Sequence, residues 1–219
     1  NNLKVNLLRI ESDFLKPSEI KTKLNNASGI LIPGGFGKRG TEGKIAAIKY
    51  ARMNKIPFLG ICFGMQMAVI EFARNKLKIK NANSTELVKK CYPVIGLLSE
   101  WSKNGKIIKG TSKNLGGTMR LGLYEAKLRH NSKVQKIYKS NTIFERHRHR
   151  YEVNGIMKDK FEKKGMIFSG LSPDEKLPEI IELKNHPWFI GVQFHPEFRS
   201  RPLSPHPLFS SFIKAAKNF

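Results

Sequence analysis

Cys62 closes the apolar run Ile56-Pro57-Phe58-Leu59-Gly60-Ile61, and Phe63-Gly64-Met65-Gln66 follows at once with an amphipathic helical pattern. Gly-x-Cys-x-Gly at a strand-to-helix junction is the cysteine version of a nucleophile elbow, a sharp turn that lifts one reactive side chain above a sheet. The flanking glycines fit because the turn imposes strained backbone angles and leaves no room for neighbouring Cβ atoms. The helix behind the sulfur aims its positive end at it, which predicts a favoured thiolate. A cysteine nucleophile also needs an imidazole to take its proton and return it to the leaving amine. The imidazole in turn needs a carboxylate to fix its tautomer. Phe194-His195-Pro196-Glu197 offers both, after the apolar run Phe189-Ile190-Gly191-Val192-Gln193. His195 and Glu197 lie two apart, so in extended chain their side chains point the same way. Alone, the pair would read as a core histidine beside a surface glutamate; an elbow in the same chain reverses that. Acyl transfer also needs two N–H donors for an oxyanion. The N–H of Phe63, just after the nucleophile, is one; Gly35 in Pro33-Gly34-Gly35-Phe36-Gly37 fits the other.

Other motifs compete for attention. Gly35-Phe36-Gly37-Lys38-Arg39-Gly40 matches G-x-G-x-x-G. A dinucleotide site would want an acidic residue at the end of the next strand, where this chain has Leu59-Gly60-Ile61-Cys62. Glu145-Arg146-His147-Arg148-His149-Arg150 holds two histidines at zinc-like spacing, but its arginines oppose a cation. An anion- or carboxylate-recognising strand suits it better, since arginine grips carboxylates through a bidentate fork. No metal site is expected. Glu86, in the polar stretch Asn81-Ala82-Asn83-Ser84-Thr85-Glu86, could hold a substrate ammonium or be plain surface. Cys91 has no elbow and reads as structural.

The elements that must position these residues alternate through the first half. A strand is expected at 5–10, a helix at 19–26, a buried strand at 29–33, a helix at 42–54, a strand at 58–61 and a helix at 63–75. Such alternation argues a doubly wound, mostly parallel α/β sheet flanked by helices. Residues 81–128 read as loops and antiparallel strands, including 107–109 and 119–125, which gives a small antiparallel extension. A helix at 131–139, strands at 166–169, 179–183 and 189–194, and a helix at 206–218 complete the chain. In such sheets ligands bind beyond the carboxyl ends of the strands, so Gly34-Gly35 and Cys62 should face one crevice.

The 219 residues suit one domain, and no run of about 18 apolar residues signals a membrane span. Two cysteines without a secreted disulfide pattern argue reduced thiols and a cytoplasmic setting. The net charge of +23 raises nucleic acid as a partner, but the lysines are scattered and no nucleic-acid motif accompanies them.

Gly60-Ile61-Cys62-Phe63-Gly64-Met65-Gln66 with His195-Pro196-Glu197 resembles the class I glutamine amidotransferases. A narrower similarity, to the glutaminase domains of CTP synthases, rests on five stretches running from near residue 5 to the C-terminus. They are Pro33 to Gly37, Asn81 to Glu86, Gly116-Gly117-Thr118-Met119-Arg120-Leu121-Gly122, Glu145 to Asn154, and Gln193 to Phe198. The resemblance implies Cys62 as nucleophile, His195 as base and Glu197 as its orienter. It implies Gly35 and Phe63 as oxyanion donors, and glutamine contacts at Gly35, Phe63, Gly64, Met65, Gln66, Glu86 and Arg150. Glu86 would meet the α-amino group and Arg150 the α-carboxylate. It further implies no cofactor in this domain, with ATP and Mg2+ bound by a separate N-terminal synthetase domain that aminates UTP to CTP. GTP would act as activator near Phe36 and Arg39, and the full-length enzyme would be a homotetramer with no membrane or nucleic-acid partner. The synthetase domain and the family's usual first strand are missing from the sequence, so residues 1–219 are expected to be the glutaminase part of a longer chain. Phe63 replaces the family's common leucine, which leaves its N–H in place. Another class I amidotransferase or a γ-glutamyl hydrolase stays open as the alternative, and a basic nucleic-acid-binding module as a more distant one.

Overall fold

A computed structural model describes residues 3–97, 100–103, 106–109 and 119–219. The expected alternation is present as α1 (Ile20–Leu24), β1 (Ile30–Ile32), α2 (Thr41–Asn54), β2 (Phe58–Ile61) and α3 (Phe63–Asn75). There follow β3 (Ala82–Ser84), β4 (Tyr92–Leu97), β5 (Glu100–Lys103), β6 (Lys106–Lys109), β7 (Arg120–Leu128), α4 (Lys133–Tyr138), β8 (Thr142–His149) and β9 (Tyr151–Val153). The chain closes with α5 (Lys158–Glu162), β10 (Met166–Leu171), β11 (Pro178–Leu183), β12 (Phe189–Val192) and α6 (Pro207–Lys217).

The main sheet runs β1-β2-β12-β11-β10-β7-β8. β1, β2 and β12 are parallel; the remaining pairings are antiparallel. The expected α/β class with an antiparallel extension is borne out, but the main sheet is mixed rather than mostly parallel, with two parallel pairings against four antiparallel, and the parallel part carries the elbow. β2 lies between β1 and β12 with all four residues buried, as parallel strands covered on both faces must be. Its alternate side chains feed two cores. Phe58 joins the core beneath α2 and α3, where it stacks on Phe189 at 4.3 Å. Leu59 and Ile61 join Trp188, Leu208 and Phe212 beneath α6. The sheet curls until its far strand returns to the parallel end. The His195 N–H donates to the Arg146 carbonyl of β8 at 2.8 Å, although three strands separate β12 from β8 in sheet order.

Two further expectations change. Residues 5–10 form no strand: no ladder bond reaches them among the described residues, and Val5, Leu7 and Leu8 are exposed. Their apolar alternation suits a strand, but a strand without a neighbour has nothing to satisfy its backbone. α3 is not amphipathic. Every residue from Phe63 to Ala73 is buried, because α2 and the second sheet, β3-β4-β9, cover what would have been its solvent face. The motif residues Gly116, Gly117 and Thr118 lie outside the described residues. No helix among the described residues is long and apolar enough to cross a membrane.

Candidate active site

One residue separates the last position of β2 from the first of α3, and that residue is Cys62. Its backbone sits at φ 49°, ψ −100°, a region that costs a non-glycine residue about 1–3 kcal/mol and persists only where the surroundings enforce it. Two bonds do so. The Cys62 N–H extends the parallel ladder by donating to the Val192 carbonyl at 2.7 Å, and the Cys62 carbonyl accepts the Gln66 N–H at 3.2 Å. The flanking glycines are steric necessities. A Cβ on Gly60 would meet the Gly64 carbonyl carbon at 2.8 Å, and one on Gly64 would meet the Ile32 carbonyl oxygen at 2.2 Å. The strand-to-helix turn expected from Gly-x-Cys-x-Gly is therefore the turn observed.

His195 follows β12, the neighbour of β2, so both chain crossings deliver their residues to one edge. Its Nδ1 lies 2.6 Å from Glu197 Oε1. The link does not arise as expected: Pro196–Phe198 is a 3-10 turn rather than extended chain, and the turn itself brings the carboxylate round to the ring. Phe198 stacks on the other side of the imidazole, with centroids 4.7 Å apart. Nε2 is buried and has no hydrogen-bond partner in the described structure. Cys62 and His195 both border Gly34. A Cβ built there would lie 2.8 Å from His195 Cε1 and 3.8 Å from Cys62 Cβ. Gly34→Ala therefore forces the imidazole out of its present position. Because displacements of about 1 Å can cost about 100-fold in rate, we expect turnover at this site to fall about 10–100-fold while the melting curve barely moves. Paired kcat and thermal-melt measurements on that variant check it.

The thiol itself corrects one expectation. Burial pushes the Cys62 pKa up to about 12; the Phe63 N–H bonds the sulfur and lowers it, whereas the charges of Glu152, Glu197 and Glu86 raise it further. The helix start favours thiolate as expected, but desolvation wins. The resting sulfur is a neutral thiol, so its proton must leave as bond formation begins.

The other predicted residues gather near this edge. Glu86 Oε1 accepts the Gly37 N–H at 2.8 Å, which ties the 80s loop to the glycine loop. Burial raises the pKa of Tyr151, and the charges of Glu86 and Arg150 push it in opposite directions, so Glu86 and Arg150 both lie within electrostatic reach of that ring. Gln66 is buried; its Nε2 donates to the Tyr151 carbonyl at 2.9 Å and to Gln193 Oε1 at 3.4 Å. Gly64 and Met65 form the buried first turn of α3, and Gly35 adjoins the Phe63 ring. Phe36 is exposed, and Arg39 pairs with Asp13 on the same loop's outer side. Both cysteines carry free thiols.

One buried cluster behind the site was not foreseen. The Arg120 guanidinium donates to Glu179 Oε1 at 2.7 Å and to Glu152 Oε1 at 3.1 Å, and stands 4.6 Å from the Tyr124 ring centroid. His147 Nδ1 and His149 Nε2 are 2.8 Å apart beside it. Burial and then the Arg120 charge push both imidazoles well below the usual histidine range, so they are neutral. A signal existed in the sequence: along Glu145 to His149 the types alternate with period two. Glu145, His147 and His149 are buried while Arg146 and Arg148 face out. The charge run is one strand with two unlike faces, not a single anion-recognising surface.

A family model for glutamine amidotransferase class-I matches residues 1–215. The chain is 78% identical over 218 residues to a CTP synthase of Pelagibacter ubique, and 54% identical over 217 residues to that of Rhodospirillum rubrum. These matches cover 100% and 99% of this chain but 40% of each relative. Among solved structures, the Trypanosoma brucei CTPS glutaminase domain with bound acivicin aligns with a TM-score of 0.88 at 37% identity, covering 99% of this chain and 82% of that one. A Thermoplasma acidophilum protein assigned as a GMP synthase subunit shares the fold, with a TM-score of 0.57 at 16% identity over 94% of this chain and 79% of that one.

Proposed function

We propose, for a chain that belongs to the class I glutamine amidotransferases, that a Cys62-His195-Glu197 triad hydrolyses glutamine to supply ammonia. The observation that carries this is that the strained Cys62 corner and the His195-Glu197 pair both border Gly34. His195 Nε2, the ring nitrogen left without a partner, takes the Cys62 proton as the sulfur attacks the carboxamide carbon. Apo sites often hold such bonds open until substrate arrives. The C–S bond forms and the carbonyl becomes an oxyanion, held by the N–H groups of Gly35 and Phe63. His195 then returns the proton to the amide nitrogen, the C–N bond breaks and ammonia leaves. A water molecule, deprotonated by His195, hydrolyses the γ-glutamyl thioester and restores the thiol. Glu197 keeps the Nδ1 proton in place throughout.

Glu86 and Arg150 would receive the α-amino and α-carboxylate groups, with Gly64 and Met65 lining the turn. Gln66 has its amide N–H groups committed to Tyr151 and Gln193, so it supports the contact surface rather than reaching out. The relatives are longer, and this chain spans about 40% of their length. In such a protein the ammonia would pass to a synthetase domain that aminates UTP with ATP and Mg2+, in a cytoplasmic homotetramer. GTP would act at Phe36 and Arg39, where an exposed ring and a guanidinium suit a base and a phosphate.

Acivicin, the ligand held by the trypanosome domain, tests the site. It is expected to modify Cys62 and not Cys91, with glutamine protecting and γ-glutamyl peptides failing to protect. Peptide mass spectrometry reads the outcome. Modification at Cys91 alone would remove the assignment, and protection by peptides in preference to glutamine would favour a γ-glutamyl hydrolase.

A further inference from the structure

Gln193 lies between β12 and His195, and the mechanism above gives its side chain no part. That side chain is wholly buried. Its Nε2 donates to Cys62 Sγ at 3.7 Å, within the range of a hydrogen bond to sulfur. The direction of the amide follows from its neighbours. The Tyr151 carbonyl can only accept, so Gln66 must turn its NH2 group that way. The same NH2 group then donates to Gln193 Oε1. With its oxygen so engaged, Gln193 has its own NH2 facing the sulfur. The backbone holds both ends in register: the Gln193 N–H donates to the Glu179 carbonyl at 2.8 Å, and the Cys62 N–H to Val192 at 2.7 Å.

We propose that Gln193 is a further catalytic residue, whose amide N–H orients the Cys62 sulfur and stabilises the charge that forms on it. This rests on Cys62 being the nucleophile. A buried anion needs donors more than an exposed one does. Phe63 supplies one through its backbone N–H, and Gln193 supplies a second from the opposite element. The groups that oppose it are Glu152 on β9, Glu197 beyond β12 and Glu86 in the 80s loop. Arg120 offsets Glu152 from behind, and His195 takes the proton. Gln193 keeps its own protons throughout, so it stabilises charge and transfers nothing.

Gln193→Met retains length and burial but removes the donor; Gln193→Glu replaces it with an acid. Two readouts apply: glutamine kcat and KM, and the pH dependence of iodoacetamide alkylation at Cys62, followed by peptide mass spectrometry. For Gln193→Met we expect kcat to fall about 10–100-fold, with KM within about threefold. The alkylation profile should move up by about one pH unit, and further for Gln193→Glu. Gln66→Leu, which frees the Gln193 amide to turn, should shift the profile the same way by less. A Gln193→Met protein with the parent's melting curve, kcat and alkylation profile would overturn the proposal. Should Gln193→Met not fold, an unmoved profile in Gln66→Leu would do the same. Cys62→Ala separates the two layers: turnover surviving there removes the nucleophile itself, whereas an inactive Cys62→Ala beside a parent-like Gln193→Met removes only Gln193.

Discussion

Cys62→Ala is expected to lower glutamine hydrolysis by about 10^4-fold or more, as removal of a covalent nucleophile does in triad enzymes. The size of the effect follows from the site's construction. In the proposed mechanism Phe63 and Gly35 would keep their N–H groups, and Glu86 and Arg150 the glutamine contacts assigned to them there, so substrate affinity should change little. What is lost is the route through a thioester, because no other nucleophile lies at the edge shared by β2 and β12 among the described residues. Cys91 cannot substitute. It precedes β4 in the second sheet, without a strained corner or an imidazole beside it in sequence. The fold should persist: alanine fits the same buried volume, and the φ of 49° costs it about what it costs cysteine. Steady-state ammonia release, with a melting curve alongside, checks both halves. Turnover within about tenfold of the parent would sink the nucleophile assignment.

Much of this site was legible because its parts are local. Gly60 and Gly64 reveal the elbow in sequence, since one tight turn demands both, and the structure returns that demand as the 2.8 Å and 2.2 Å clashes with backbone that a Cβ at each would make. Glu197 is close enough in sequence to His195 to be paired with it, even though a 3-10 turn rather than a strand makes the contact. What stayed hidden depends on the curl of the sheet. Arg120 and His149 face each other across β7 and β8, and Glu179 reaches them from β11. A composition or period does not disclose that three distant strands will point opposite charges at one interior spot. Gln193 hides for the same reason, since its partners Cys62 and Gln66 belong to another crossing of the chain. Residues 5–10 show the converse error: their local pattern suits a strand, but strand formation requires a neighbour to bond.

Arg120→Met should destabilise the fold strongly, because it deletes the only cation that contacts Glu152 and Glu179 among the described residues. Arg120 is 3% exposed, Glu152 4% and Glu179 0%, so water cannot take its place. Breaking a buried ion pair from one side typically costs about 3–5 kcal/mol, which in a domain of this size corresponds to a melting temperature lower by about 10 °C. The penalty has a definite pH dependence. Burial already raises the pKa of both carboxyls despite the pull of Arg120, and the Arg120 guanidinium is held charged because the two glutamates outweigh the burial that opposes it. Without the guanidinium the folded-state values rise further above the unfolded ones. A group raised in this way contributes its stability below its unfolded pKa and loses it as pH climbs through the folded value. The gap between variant and parent should therefore be narrow near pH 5 and widest above about pH 8, the value to which Glu152 is already raised. Adding Glu179→Gln to Arg120→Met should restore part of the loss, since the amide leaves one buried carboxylate where there were two. A variant that melts with the parent across that range would mean the cluster carries no compensated charge.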